Sequence, residues 1–305
     1  MKNPRILLLL LLQLTVSACS TLVRVPDAAY DFEAEPPIEA YVRVLQKYVN
    51  DGGEVDFPAL AKDRAGLDRY VAYVARTPAN GFADPQARLA HYLNSYNALS
   101  MYNVLELGIP ETHVGWRKIR FFWLRDFVIG GTELSLYVYE NEVIRKLGDP
   151  RVHFALNCSA LGCPVLPRVP FSGLTLDQEL ERETCKFFSE ERNLRIDHAE
   201  KKVYLSEILS FYTEDFTPVH APSLIAYVNR YVADPIPENY TVEFIDYDWT
   251  IANTRRARPV AMASEFVKKS AALGISCSGG ARNPHVFQYT LRFLRSGGTR
   301  PPFAR

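Results

Sequence analysis

The chain has 305 residues, 48% hydrophobic and 12% aromatic, with 35 basic and 35 acidic side chains and a formal net charge of zero. That is enough apolar material for one large core, or for one domain with an appendage, and it excludes a chain too small to fold without staples. The neutrality is uneven: residues 253–305 hold ten Lys/Arg and one acid, Glu265, which leaves 25 basic and 34 acidic residues ahead of them.

In chain order, the first feature is an export signal. Lys2 and Arg5 form a short positive region, and Ile6 to Leu12 form an apolar run too short for an ordinary membrane span. Val16-Ser17-Ala18-Cys19 matches a bacterial lipobox, in which the cysteine becomes the lipidated first residue of the mature protein. Residues 1–18 are therefore expected to be a lipoprotein signal peptide, and Cys19 the lipidation site that anchors the chain to a membrane it does not span. Ser20 after the cysteine lacks an acidic retention signal, which points to the outer membrane, facing the periplasm. Residues 19–37 read as a tether. An exported chain makes nucleic acid an unsuitable partner.

A helix is expected over about Ile38–Val49, a second over Leu67–Ala75, and a long one from Pro85, acceptable in a first turn, to Leu107, with Gly108-Ile109-Pro110 as the stop. Strand-like runs follow at Ile119–Trp123 and Phe127–Ile129, and Gly130-Gly131 turns into a strand at Thr132–Leu134. Leu136–Leu147 reads as helix ended by Gly148, Arg151–Asn157 as strand, and Thr175–Glu190 as helix with Thr175 and Gln178 in capping-box positions. A hairpin at Leu194–Asp197 and Val203–Leu205, a helix at Ser223–Val232 and a closing strand at Val242–Ile245 complete the domain. Helices come first and strands later, so the fold class is α+β, with helices packed on a small, mainly antiparallel sheet. No internal repeat is visible. Residues 254–305 read as a basic, poorly ordered tail, with one apolar stretch, Val260–Leu273, of helical length.

Two segments carry candidate chemistry. In the long helix, Asn94 and Asn97 share a face at i,i+3 spacing, with His91 on an adjoining stripe. Such amides either satisfy the backbone of a neighbouring loop or line a polar pocket. The second segment is His153-Phe154-Ala155-Leu156-Asn157-Cys158, with Cys163 five residues on. Two thiols so close allow a disulfide, a metal site or one reactive thiol with a partner. An oxidising compartment and a short hop favour a Cys158–Cys163 disulfide. A single C-x4-C without a second pair or a spaced histidine argues against metal. A reactive thiol needs a base and an oxyanion donor. Strand parity places Val152, Phe154, Leu156 and Cys158 on one face and His153, Ala155 and Asn157 on the other, so a Cys158–His153 dyad requires a turn at Asn157.

Other residues are less pointed. Arg151 and Arg145 suit a carboxylate ligand or ion pairs with Glu140, Glu142 or Asp149. His113, His198 and His220 read as loop histidines, and Cys185 as core. Tyr247-Asp248-Trp249 either caps a pocket or plugs the core. No glycine-rich phosphate loop, G-x-S-x-G elbow or metalloprotease helix is present.

Read together, Tyr92-Leu93-Asn94-Ser95-Tyr96-Asn97-Ala98, then Asp149 to Cys158 with Cys163-Pro164, then Tyr247-Asp248-Trp249, resemble the signatures of the domain of unknown function 547 family, with the similarity covering about Ile38 to Asn253. The family supplies no activity. The layout of a helix ending in Gly-Ile-Pro, a hairpin, and a strand with an early histidine is also similar to transglutaminase-like and papain-like domains. There His153 takes the histidine place, but the helix start, Ala90 to Ser95, has no cysteine.

The resulting expectation is an envelope lipoprotein that binds a peptide or cell-wall-like ligand in a polar cleft between the long helix and the His153 strand, with Asn94, Asn97, Asn157, Arg151 and His91 as ligand-binding residues. One alternative is a thiol-dependent acyltransferase or amidase/peptidase with Cys158 or Cys163 as nucleophile and His153 as base. Another is a structural, partner-binding module. No cofactor or metal is implied.

Overall fold

The computed structural model describes residues 20–25, 32 and 36–254. The segment read as a signal peptide, Cys19, Cys277 and the tail beyond Thr254 lie outside them. The architecture is α+β, as the order of elements implies. The two sheets, each three-stranded, are mixed rather than mainly antiparallel.

The organising element is the long helix. Asp84 caps it by accepting from the Gln86 and Ala87 amides, Pro85 occupies its first turn, and the helix, here α4 (Pro85–Glu106), ends at Gly108 and Ile109, both at positive φ. Every residue from Leu89 to Val104 is buried. A helix wrapped on all sides has no solvent face for its polar residues, so each must find a protein partner. Against it pack α2 (Phe57–Lys62) and α3 (Ala65–Arg76), and α1 (Pro37–Tyr48) packs on α3. The Tyr41 and Tyr70 rings stack across α1 and α3 at 4.4 Å.

The run Ile119–Trp123, expected to be strand-like, instead belongs to helix α5 (Trp116–Phe122) and its C-cap, Trp123. Only two of its residues, Phe121 and Phe122, are buried. Burial on one helical side satisfies the same apolar content that reads as a strand. β2 (Arg125–Ile129) and β3 (Thr132–Ser135) form the expected hairpin. A short strand, β1 (Thr21–Leu22), adds to β2 in parallel, and Val23 behind it is buried in the core. The segment read as a tether thus begins by pairing with the domain.

After β3 the chain forms α6 (Leu136–Val138), widens to a π-turn over Tyr139–Ile144, and tightens to a 3-10 turn at Arg145–Leu147 before Gly148 at φ 80°. The expected strand at Arg151–Asn157 is instead a 3-10 helix, Pro150–Phe154, started by Pro150 and by the Asp149 carboxylate accepting from the Arg151 amide. The alternating apolar residues mislead because they serve two cores. Val152 and Leu156 join the cluster around α4, whereas Phe154 joins a second cluster with Phe187, Phe188, Val203 and Phe216.

That second cluster gathers α7 (Leu176–Phe188), β4 (Leu194–Asp197), β5 (Lys202–Ser206), α8 (Glu207–Phe211), α9 (Thr213–Phe216) and α10 (Leu224–Val228), with β6 (Thr241–Ile245) parallel to β5. Glu179, not Gln178, serves the start of α7, taking the Ser172 amide and the Thr175 hydroxyl. No described helix is long and apolar enough to cross a membrane.

Candidate functional site: a thiol pair beside a histidine–aspartate couple

The two cores meet around a small cavity of about 60 Å³. Its lining includes His153, Cys158 and Cys163, the Glu140–Tyr96–Tyr212 group, and an aromatic rim of Phe211, Tyr247 and Trp249.

Asn97 and Asn157 bring His153 and the thiols to the same cavity. The Asn97 amide donates to the Ala155 carbonyl at 3.0 Å and accepts the Asn157 backbone N–H at 2.8 Å, fixing the exit of the 3-10 helix against α4. The Asn157 side chain accepts the Ser159 N–H at 2.7 Å and donates to the Pro164 carbonyl at 2.7 Å, closing the loop at both ends. Ser159 sits at φ 63°, a conformation uncommon for a residue with a side chain, and the Asn157 contact supports it. The chain therefore turns at Asn157, and strand parity no longer separates His153 from Cys158.

Residues beyond β6 then run along this loop. Leu161 and Gly162 donate to Thr250 and Asp248, and Ala252 donates to Ser159. A Cβ on Gly162 would meet the Tyr247 ring at 2.8 Å, so glycine there lets the tyrosine lie flat on the loop. Glu207 takes the Tyr247 amide at 2.7 Å.

Cys158 and Cys163 are both free, and the disulfide expected between them is not formed. Their sulfurs lie 2.8 Å apart, a hydrogen-bond contact far longer than a covalent bond of about 2.05 Å. Polar donors explain why the pair is held as donor and acceptor. Cys163 Sγ receives the Cys158 N–H at 3.0 Å and the Tyr247 hydroxyl at 2.9 Å. Burial opposes charge on Cys163, but the donors from Cys158, Tyr247 and the backbone outweigh it and hold this thiol below its ordinary pKa. Burial and the neighbouring Cys163 push Cys158 well above its own. Tyr247 is pushed up as well, first by burial, so its phenol stays protonated and donates. Cys163 is thus the acidic thiol and Cys158 keeps its proton.

His153 is buried, with its Nε2 2.7 Å from the Asp215 carboxylate and its ring stacked on Tyr212 at 4.0 Å. A carboxylate only accepts, so Nε2 carries the proton and Nδ1 is left as the basic nitrogen. Arg145 grips the same carboxylate through Nε at 2.6 Å and Nη2 at 2.9 Å. Burial alone would raise the Asp215 pKa, but bonds from His153 and Arg145 hold it well below the usual carboxylate range. Arg145 thus pairs with Asp215 and Glu214 rather than with Glu140, Glu142 or Asp149. Glu140 instead accepts from the Tyr96 and Tyr212 hydroxyls at 2.7 and 2.5 Å.

The other residues singled out from the sequence lie elsewhere. Asn94 clamps both backbone groups of Phe171 at 2.8 Å. His91 packs between Phe82 and Tyr73, where burial lowers its pKa to about 4. Arg151 pairs with Asp149 and Asp177, each at 2.8 Å. None of these three lines the cavity. His113, read as a loop histidine, is fully buried with Nε2 on the Cys158 carbonyl at 3.0 Å, and burial lowers its pKa to about 4. Cys185 packs at the edge of the second core. Among the described residues, no group of three or more His, Cys, Asp or Glu is placed to hold a metal ion. Sequence reasoning missed Asp215 and Tyr212, because nothing in Tyr-Thr-Glu-Asp-Phe marks a histidine partner 62 residues away. The Tyr247 segment was visible as a motif, but not its contact with the thiols.

The fold and site define an α+β protein with an asymmetric thiol pair beside a histidine–aspartate couple. Residues 81–188 match the family described as Protein of unknown function, DUF547. The resemblance drawn from the sequence is supported over that span, which includes α4, the hairpin, His153 and both thiols but stops short of Asp215 and Tyr247. No curated protein and no solved structure matched the chain.

Proposed function

We propose that this chain is a thiol-dependent enzyme of the bacterial envelope, held to a membrane by lipid on Cys19, that transfers or hydrolyses an acyl group. One observation carries the reading: Cys163, the acidified thiol, lines the same cavity as a histidine whose tautomer Asp215 sets. A nucleophile with lowered pKa and a base oriented by a third group are the requirements of covalent acyl transfer.

In this scheme the Cys163 thiolate attacks the acyl carbonyl, forming an S–C bond and a tetrahedral oxyanion. The Cys158 N–H and the Tyr247 O–H, which bond the thiolate before reaction, lie beside the new bond and can turn to the oxyanion. His153 Nδ1, having taken the Cys163 thiol proton, gives it to the leaving amine or alcohol as the C–N or C–O bond breaks. Neutral His153 then takes a proton from water or an acceptor nucleophile, which attacks the thioester and returns Cys163 as thiolate. A cavity of about 60 Å³ admits a small acyl group or the tip of a longer one.

The test uses p-nitrophenyl acetate as an activated short acyl donor and intact-mass detection of the acetyl thioester. The expected result is one acetyl group per chain on Cys163, absent in Cys163→Ala, with slower release of nitrophenol in His153→Gln. Equal turnover by Cys163→Ala would sink the proposal.

A further inference from the structure

Helix α5 carries an exposed outer face among the described residues. Trp116, Ile119, Arg120 and Trp123 fall on one stripe at i, i+3, i+4 and i+7, and all four are exposed, Trp116 at 67%. Val114 ahead of the helix is exposed as well, and Trp123 stacks on the half-exposed Tyr137 ring at 4.7 Å. Arg117 is exposed with Arg120, while Lys118 turns its ammonium onto the Trp249 ring at 3.7 Å, and the helix holds no acid. Large aromatics with arginines on one surface, above an otherwise buried pair, Phe121 and Phe122, form the pattern of an interfacial helix.

The chain's own connectivity says what covers this face. The Thr21 amide donates to the Leu124 carbonyl at 2.9 Å, one residue past Trp123, and β1 runs from there along β2. Cys19 is two residues ahead of Thr21, which gives at most about 7 Å of chain. A lipid on Cys19 would therefore enter the bilayer within about 10 Å of Leu124, next to Trp123 at the C-terminal end of the stripe.

We infer that the Trp116–Ile119–Arg120–Trp123 face of α5 is a membrane-docking surface that seats on an anionic bilayer beside the N-terminal lipid. The inference rests on the anchored reading given above for its geometry, while its chemistry is the face's own. Phe122 on the same helix lines the cavity, so docking holds the thiol site at the bilayer surface.

The full chain, purified from membranes, is reconstituted into vesicles of phosphatidylglycerol and phosphatidylethanolamine with and without acyl-chain-brominated lipid. The protein has three tryptophans, two of them in the stripe. Brominated lipid should lower the emission about twofold, because an interfacial helix buries its apolar face 5–10 Å deep, roughly at the bromine level. Trp116→Phe with Trp123→Phe should remove the quenching and leave Trp249 unaffected. Arg117→Glu with Arg120→Glu should also remove it, and quenching retained there overturns the anionic preference. Unquenched wild-type emission overturns the surface, including the case where two copies bury the stripe against each other. The mass of the N-terminal peptide reads the lipid independently. Quenching without lipid keeps the surface and removes the anchor; lipid without quenching does the reverse.

Discussion

Tyr247 donates its hydroxyl to Cys163 at 2.9 Å although the two residues are 84 positions apart. The same hydroxyl lies 3.3 Å from Cys158 Sγ, and the two thiols are unequal because Cys163 also collects the Cys158 N–H while Cys158 serves as donor between the sulfurs. Removing the hydroxyl in Tyr247→Phe should raise the pH midpoint for alkylation of Cys163 by iodoacetamide by about one unit, or about tenfold less thiolate at a given pH below it. In the wild type the midpoint should lie below the ordinary thiol value of about 8.5. Alkylation of both cysteines only after reduction would contradict the free pair.

Gly162→Ala should act through the same tyrosine. The added Cβ meets the ring at 2.8 Å and the Asp248 amide at 2.9 Å, so the closing segment must shift. The expected cost is about 1–3 kcal/mol in urea unfolding, with the Cys163 midpoint rising as in Tyr247→Phe. A stability loss with an unchanged midpoint would show that the tyrosine does not tune the thiol.

Asn97→Leu leaves the Ala155 carbonyl and the Asn157 amide without their buried partner. Each stranded group costs about 1–3 kcal/mol, so denaturant unfolding should show one of the largest single-site losses on α4. Asn94→Leu should cost a similar amount through Phe171, without altering the thiols.

Asp215→Asn keeps the shape of the acceptor but removes the charge that His153 and Arg145 share. Ester turnover should fall about 100-fold or more, while the pH midpoint of Cys163 alkylation, set by other donors, stays put. A shift of that midpoint instead would mean the aspartate acts on the thiols rather than on the histidine.

Stability should decline with acid in a window set by histidines. His91 and His113 have native pKa values of about 4 because burial disfavours the cation. An unfolded histidine titrates near 6.5, so the unfolded state binds protons first as pH falls. Their contribution is complete above about pH 6.5 and is lost progressively down to about pH 4. Asp215, also depressed, loses its contribution only below the unfolded carboxylate value of about 4. His91→Phe should therefore flatten the pH dependence of urea unfolding between pH 6.5 and pH 4; an unchanged slope would be inconsistent with a neutral buried imidazole.

Local chemistry was legible without the structure. Pro85 and Gly108-Ile109-Pro110 bound α4 through a fixed φ at its start and positive φ at its end, and Gly130-Gly131 sets the hairpin, because each acts within a few residues. The same holds for the signatures around Asn94, Asn97 and the thiols, and for the α+β class. Tertiary structure decided the rest. Val152 and Phe154 alternate like a strand only because they enter different cores, and the alternation conceals a 3-10 helix. The partners of His153 and Cys163 come from Asp215 and Tyr247, brought in by burial of the second core and by backbone pairing along residues 159–162. The Cys158–His153 stretch named the place in the sequence alone. Which thiol is acidic, and which residue holds the histidine, depends on donors arriving across the fold, where no local pattern reaches.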